Sequence, residues 1–137
     1  MSIQVVVDSC VAYKWFYKED EAGLEEAEDL LQSHLDGTRI VSAPTVLPVE
    51  IANTLLSSGL PLEQTDEILD LLESARLHLY YTGTRQLQRA SALARKHRLA
   101  VYDALFLALA EELSCPLVTA DCKAFAGIDT PVEIRLI

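Results

Sequence analysis

Residues 3–9 read IQVVVDS, and this stretch decides the fold. Ile3 to Val7 form a short apolar run rich in β-branched side chains with no alternation of polar residues, the pattern of a strand covered on both faces. Asp8 and Ser9 end it abruptly. Strands buried on both sides belong to parallel sheets flanked by helices, so the residues after each strand become the place to look for chemistry.

Working outward, a short helix is expected over Val11 to Tyr17. Residues 20–36 carry Asp and Glu with Leu24, Ala27, Leu30, Leu31 and Leu35 at helical spacing, closed by Gly37. RIVSA (39–43) reads as a second strand, followed by a helix that Thr45 can cap, with Pro48 in its first turn and an end near Ser58. Gly59 and Pro61 separate that helix from another over Leu62 to Ala75. LHLYY (77–81) is a strand, Thr84 to His97 a helix, and Tyr102 to Leu113 a helix so apolar that it must be buried. Leu117 to Thr119 and Val132 to Ile137 complete the strands. Alternating strands and helices without linker or repeat predict an α/β fold, one domain over 1–137 with a mainly parallel central sheet.

The 137 residues, half of them hydrophobic, suit one domain with a substantial core. No apolar run approaches the length of a membrane span, and MSIQVVVDSC lacks the basic start of a signal peptide. Three cysteines without a paired framework fit reduced thiols, so the expected location is the cytoplasm. They also lack zinc-site spacing with His34, His78 and His97. Eleven Lys and Arg against 21 Asp and Glu give a net charge of −10, which excludes a protein that coats nucleic acid through overall charge and favours a basic partner, a bound cation, or both.

Asp8 follows the first buried strand and Asp121 follows PLVTA, each ahead of a helix, at the strand ends where open α/β sheets bind ligands. Asp103 opens the apolar helix. Each of the three is equally readable as a helix cap, and the positive end of a helix dipole would keep such a carboxyl ionised. Glu50 lies in the helix after Thr45, with Asn53, Thr54 and Ser57 on its stripe. That stripe is either a solvated face or one wall of the crevice that holds the aspartates. Together, four carboxylates and a threonine at one sheet edge form the hard oxygen set that Mg²⁺ or Mn²⁺ prefers, and such ions promote displacement at phosphodiesters.

VVVDSCVAYKWF (5–16), PTVLPVEIANTL (44–55), YDALFLALAEEL (102–113) and PLVTADCKAF (116–125) resemble, in order and over nearly the whole chain, the four acidic motifs of the PIN-domain family. Within it, the resemblance is to the VapC toxins of prokaryotic type II toxin–antitoxin pairs. It implies a metal-dependent endoribonuclease in which Asp8, Glu50, Asp103 and Asp121 hold Mg²⁺ or Mn²⁺, assisted by Thr119 and Asn53, while water attacks phosphorus and the 3′-oxygen leaves. It also implies homodimers, an RNA substrate, no membrane, and a cognate basic antitoxin of VapB type. Cys10 and Cys122 depart from the family pattern, which more often has small or basic residues there.

Further substrate contacts are expected from Lys14 and from a basic face of Arg85, Arg89 and Lys96 that lies opposite Leu87, Ala90 and Ala94. A phosphate track and a solvated face both explain this pattern. Trp15 reads as packing rather than a stacking platform, and Tyr102 as either packing or a substrate contact. Three rivals share the ingredients. A phosphoacceptor receiver domain would need paired acids after the first strand, and a haloacid-dehalogenase phosphatase a second Asp where Cys10 stands. A catalytically silent PIN-like module would need none of the four acids.

Overall fold

The computed structural model describes residues 3–17 and 22–137. The part of the expected second helix that falls on residues 20 and 21 lies outside them. Among the described residues, five strands, β1 (Ile3–Val7), β2 (Arg39–Pro44), β3 (His78–Tyr80), β4 (Leu117–Thr119) and β5 (Ile134–Leu136), form one sheet in the order β3-β2-β1-β4-β5. Every neighbouring pair is parallel, with Val5 opposite Val41 and Val7 opposite Val118. The chain leaves β1 toward β2 on one side and returns to β4 on the other, so the topological switch lies between β1 and β4, just where Asp8 and Asp121 emerge.

Helices α1 (Ser9–Tyr13), α2 (Leu24–Asp36), α3 (Val46–Ser58), α4 (Leu62–Ser74), α5 (Thr84–His97), α6 (Val101–Leu113) and α7 (Cys122–Phe125) provide the crossovers. Val5, Val6 and Val7 are all fully buried, which explains why β1 shows no alternation. Ala104 to Ala110 of α6 are buried in an unbroken run, with Phe106 and Leu107 among the largest enclosed side chains. Each large apolar side chain so enclosed contributes about 2 kcal/mol of transfer free energy. Trp15 is packed in the same core and donates its indole N–H to the Ala27 carbonyl at 2.7 Å.

Three local expectations change. Helix α1 starts at Ser9 rather than Val11, because the Asp8 carboxylate accepts the Ser9 N–H at 2.8 Å and caps the turn immediately. Thr45 stands at the N-cap of α3 but makes no side-chain cap bond. Its own N–H is donated instead to the Tyr80 carbonyl at 3.0 Å, which joins the helix start to β3. Asp103 lies inside the first turn of α6, whose N-cap is Ala100. Among the described residues, no helix is long and apolar enough to cross a membrane.

Candidate metal and active site

The ends of β1 and β4 meet in a short hydrogen-bonded chain. Asp8 is almost completely buried, with one carboxylate oxygen accepting from Ser9 N–H and the other from the Thr119 hydroxyl at 2.8 Å. Thr119 Oγ1 in turn accepts the Asp121 N–H at 3.0 Å, so one buried hydroxyl fixes both aspartates. Asp121 accepts the Ala124 N–H at 3.0 Å and caps α7. On the other side, the Ser9 hydroxyl donates to Glu50 Oε1 at 3.1 Å, and this bond ties α3 to α1 across 41 residues of sequence. Capping and site-building are therefore the same interactions for Asp8 and Asp121.

The electrostatics couple all four acids. Burial pushes the Asp8 carboxyl above its ordinary value, with the Asp121 charge adding to the effect. Glu50 rises for the same first reason, then through the charges of Asp8 and Asp103. Asp103 is pushed up to about 6 by burial, followed by the charges of Asp8 and Asp121. For Asp8 and Asp103, desolvation and neighbouring negative charge thus move the carboxyl in the direction opposite to that expected from a helix dipole. Cys10 lies within this field. Its thiol is pushed up to about 11 by burial and by Asp8, and its sulfur accepts the Ala120 N–H at 3.3 Å, so it stays a protonated packing group.

The donor set fits a hard divalent cation in its chemistry. Among the described residues, Asp103 makes no side-chain hydrogen bond, and Glu50 Oε2 and Asp121 Oδ2 accept none, so carboxylate oxygens remain available from all three helices. No three His, Cys, Asp or Glu side chains among the described residues already enclose an ion-sized point. The repulsion among the four acids is the feature that a cation would relieve.

Beside the acids lies a cleft of about 790 Å³, with Ser9, Cys10, Lys14 and Asp121 on one side and Thr54 and Ser57 of α3 on the other. The α3 stripe thus borders the site. Asn53 is exposed on the same helix and makes no side-chain hydrogen bond to any of the acids among the described residues. Ser9 was not singled out by the sequence, because a serine after an aspartate looks like an ordinary turn residue; the only hint was its place at a strand end. Of the basic face, Arg85 and Lys96 are exposed, whereas Arg89 makes a two-pronged bond to Glu111 of α6 at 2.7 and 2.9 Å. Glu111 lies eight residues from Asp103, about 12 Å along the helix, so Arg89 braces the α5–α6 pair away from the acids. Tyr102 is 60 % exposed beside Asp103 and is not a packing residue.

Comparison with known proteins gives a consistent result. The family model described as PIN domain matches residues 5–130. Ribonuclease VapC1 of Mycobacterium tuberculosis is 33% identical over 102 residues, covering 72% of this chain and 75% of the relative. Among solved structures, VapBC2 from Rickettsia felis bound to a promoter DNA fragment aligns with a TM-score of 0.70 at 16% identity, covering 98% of this chain and 99% of that one. A toxin–antitoxin complex from Klebsiella pneumoniae aligns at 0.65 and 22% identity, covering 95% and 99%. The acids at the switch point, the parallel sheet and a family match that covers β2 to β4 and every acid lead to one conclusion: this chain belongs to the PIN-domain family.

Proposed function

We propose that the chain is a Mg²⁺- or Mn²⁺-dependent endoribonuclease, the toxin of a type II toxin–antitoxin pair that a basic VapB-like antitoxin holds silent, acting as a homodimer in the cytoplasm. The observation that carries this reading is geometric: Ser9 and Thr119 gather Asp8, Glu50 and Asp121 at the switch point of the sheet, near enough to Asp103 for the charges of Asp8 and Asp121 to raise its carboxyl. Its relatives support it: the VapC1 relative is named a ribonuclease, and toxin–antitoxin complexes share the fold.

The reaction is hydrolysis. A water oxygen bonds to phosphorus, the bond to the 3′-oxygen breaks, and that oxygen gains a proton. When bound, the divalent ion supplies Lewis-acid stabilisation of the phosphoryl charge and makes water acidic enough to attack at neutral pH. Asp8, Glu50, Asp103 and Asp121 would hold it. Thr119 fixes Asp8 and the backbone of Asp121, and Ser9 holds Glu50 against α1. Arg85 and Lys96, both exposed, are the candidates for phosphate contact in an otherwise acidic chain, whereas Lys14 is almost fully buried beside the cleft; Asn53 stands at the outer edge of the Glu50 stripe.

The test is cleavage of total cellular RNA by the purified chain, free of partner, in Mg²⁺ or Mn²⁺. Wild type is expected to cut, and Asp8→Ala and Asp103→Asn to lose at least about a hundredfold in rate, the scale of removing a group that stabilises transition-state charge. Wild type that cuts nothing, or variants that cut equally well, would overturn the assignment.

A further inference from the structure

Ser9 reaches two of the four acids with its two donors. Its backbone N–H bonds to Asp8 Oδ1 at 2.8 Å, and its hydroxyl donates to Glu50 Oε1 at 3.1 Å. Thr119 makes the matching link on the other side of Asp8, where its hydroxyl donates to Oδ2 and accepts the Asp121 N–H. The two links differ in what they hold. Thr119 joins residues at the ends of adjacent strands, whose backbones are already fixed by the pairing of Val7 with Val118. Glu50 comes from α3, and no strand pairing places it. Among the described residues, the Ser9 hydroxyl is the single donor to the Glu50 side chain. A glutamate also has one more rotatable bond than an aspartate, so an unheld Glu50 has more freedom to lose when it grips an ion. The bond to Ser9 removes that freedom in advance.

The same bond makes the two oxygens of Glu50 unequal. Oε1 is committed to Ser9, while Oε2 accepts nothing among the described residues. Both oxygens of Asp8 and one of Asp121 are engaged in the same way, by Ser9, Thr119 and the Ala124 N–H. A carboxylate tethered at one oxygen offers the other singly, and it cannot turn both toward an ion without giving up its bond. Single oxygens in fixed directions suit the strict octahedral shell of a small hard cation. Ca²⁺ takes six to eight oxygens in a pliant shell and readily uses both oxygens of one carboxylate.

We propose that Ser9 is the positioning residue that presets Glu50 to offer one oxygen to the cation, and that it thereby favours Mg²⁺ and Mn²⁺ over Ca²⁺ at this site. The proposal rests on the metal-dependent reading of the four acids. Ser9→Ala tests it narrowly, because it deletes the hydroxyl and leaves the N–H through which Asp8 caps α1.

Mn²⁺ binding to the chelator-stripped chain is read from the loss of the free-ion electron paramagnetic resonance signal, and Ca²⁺ binding from its displacement of bound Mn²⁺. Ser9→Ala should weaken Mn²⁺ binding about tenfold, the scale of losing a group that orients a metal ligand. Ca²⁺ binding should weaken by less than about threefold, because a freed Glu50 can offer it both oxygens. Ser9→Thr keeps the hydroxyl and should hold both affinities within about twofold of wild type. The Glu50→Gln chain retains three carboxylates and binds Mn²⁺ more weakly. Adding Ser9→Ala to it should change the affinity by less than about twofold, since the group through which Ser9 acts is already gone. General damage to the fold would weaken both ions alike and would persist beside Glu50→Gln, and that pattern overturns the proposal. Wild type that binds Mn²⁺ with an affinity indifferent to Ser9→Ala overturns the proposal alone. Wild type that binds no Mn²⁺ overturns the metal reading and the proposal with it, so the two failures are distinguishable.

Discussion

Thr119 is the residue on which the site turns. It is fully buried, donates to Asp8 and accepts from the Asp121 backbone, so it serves two of the four acids with one oxygen. Valine has nearly the same shape but can do neither. Thr119→Val should therefore leave Asp8 Oδ2 and the Asp121 N–H without partners, costing about 1–3 kcal/mol in urea unfolding, while Thr119→Ser keeps the hydroxyl and costs less than half as much. Nuclease activity should fall with Thr119→Val more than stability requires, because losing the hydroxyl also removes a bond that favours the charged form of Asp8. A Thr119→Val chain as stable and active as wild type would show that the hydroxyl is incidental. The aspartates at the strand ends were visible in the sequence because a buried strand must stop at a polar residue. The bridging role of Thr119 was visible only through resemblance, since its partner lies 111 residues away.

At the scale of elements, what could be read depended on whether the cause was local. Strand β1 announced itself through its unbroken apolar run, and α5 through its two-sided pattern. The early start of α1 did not, because a side-chain cap at Asp8 is invisible in a hydrophobic pattern. Arg89 looked like part of a phosphate track for a similar reason. Its partner, Glu111, is on the next helix, 22 residues on, and only packing of α5 against α6 brings them together. The junction after α6 illustrates a cost that the sequence also conceals. Ser114 ends that helix with φ 52° and ψ 48°, a left-handed conformation that disfavours a side chain, while Cys115 N–H closes the cap on the Ala110 carbonyl at 3.1 Å. Ser114→Gly should relieve the strain and stabilise the chain by about 0.5–1 kcal/mol, less than the full strain because glycine also gains freedom in the unfolded chain. Thermal unfolding should show a rise of about 2–3 °C, and a fall would mean that the serine side chain contributes to the cap.

For the whole molecule, the net charge of −10 has a local centre. Asp103, with its carboxyl raised from 3.8 to about 6, binds a proton in the folded chain that the unfolded chain has already released between those pH values. Stability from this group is therefore fully present below pH 3.8 and is lost as pH rises through 6. Discounted for the half-exposed position, the loss is about 1 kcal/mol, added to the general repulsion of an acidic chain. Asp103→Asn removes only the local part. In chelator, the variant should lose less stability than wild type between about pH 4 and pH 7.5, by about 1 kcal/mol, and should be the more stable of the two at about pH 7.5. On the proposed function, a divalent cation held by these acids would reverse the ranking, because a ligand bound only by the folded wild type stabilises it by about 1.4 kcal/mol at roughly tenfold excess over its dissociation constant. Titrating Mn²⁺ at that higher pH should thus raise the melting temperature of wild type by several degrees and that of Asp103→Asn by much less. Equal shifts for the two chains would mean that Asp103 contributes nothing to holding the ion, and a pH slope unchanged by the substitution would mean that the repulsion resides elsewhere on the acidic surface.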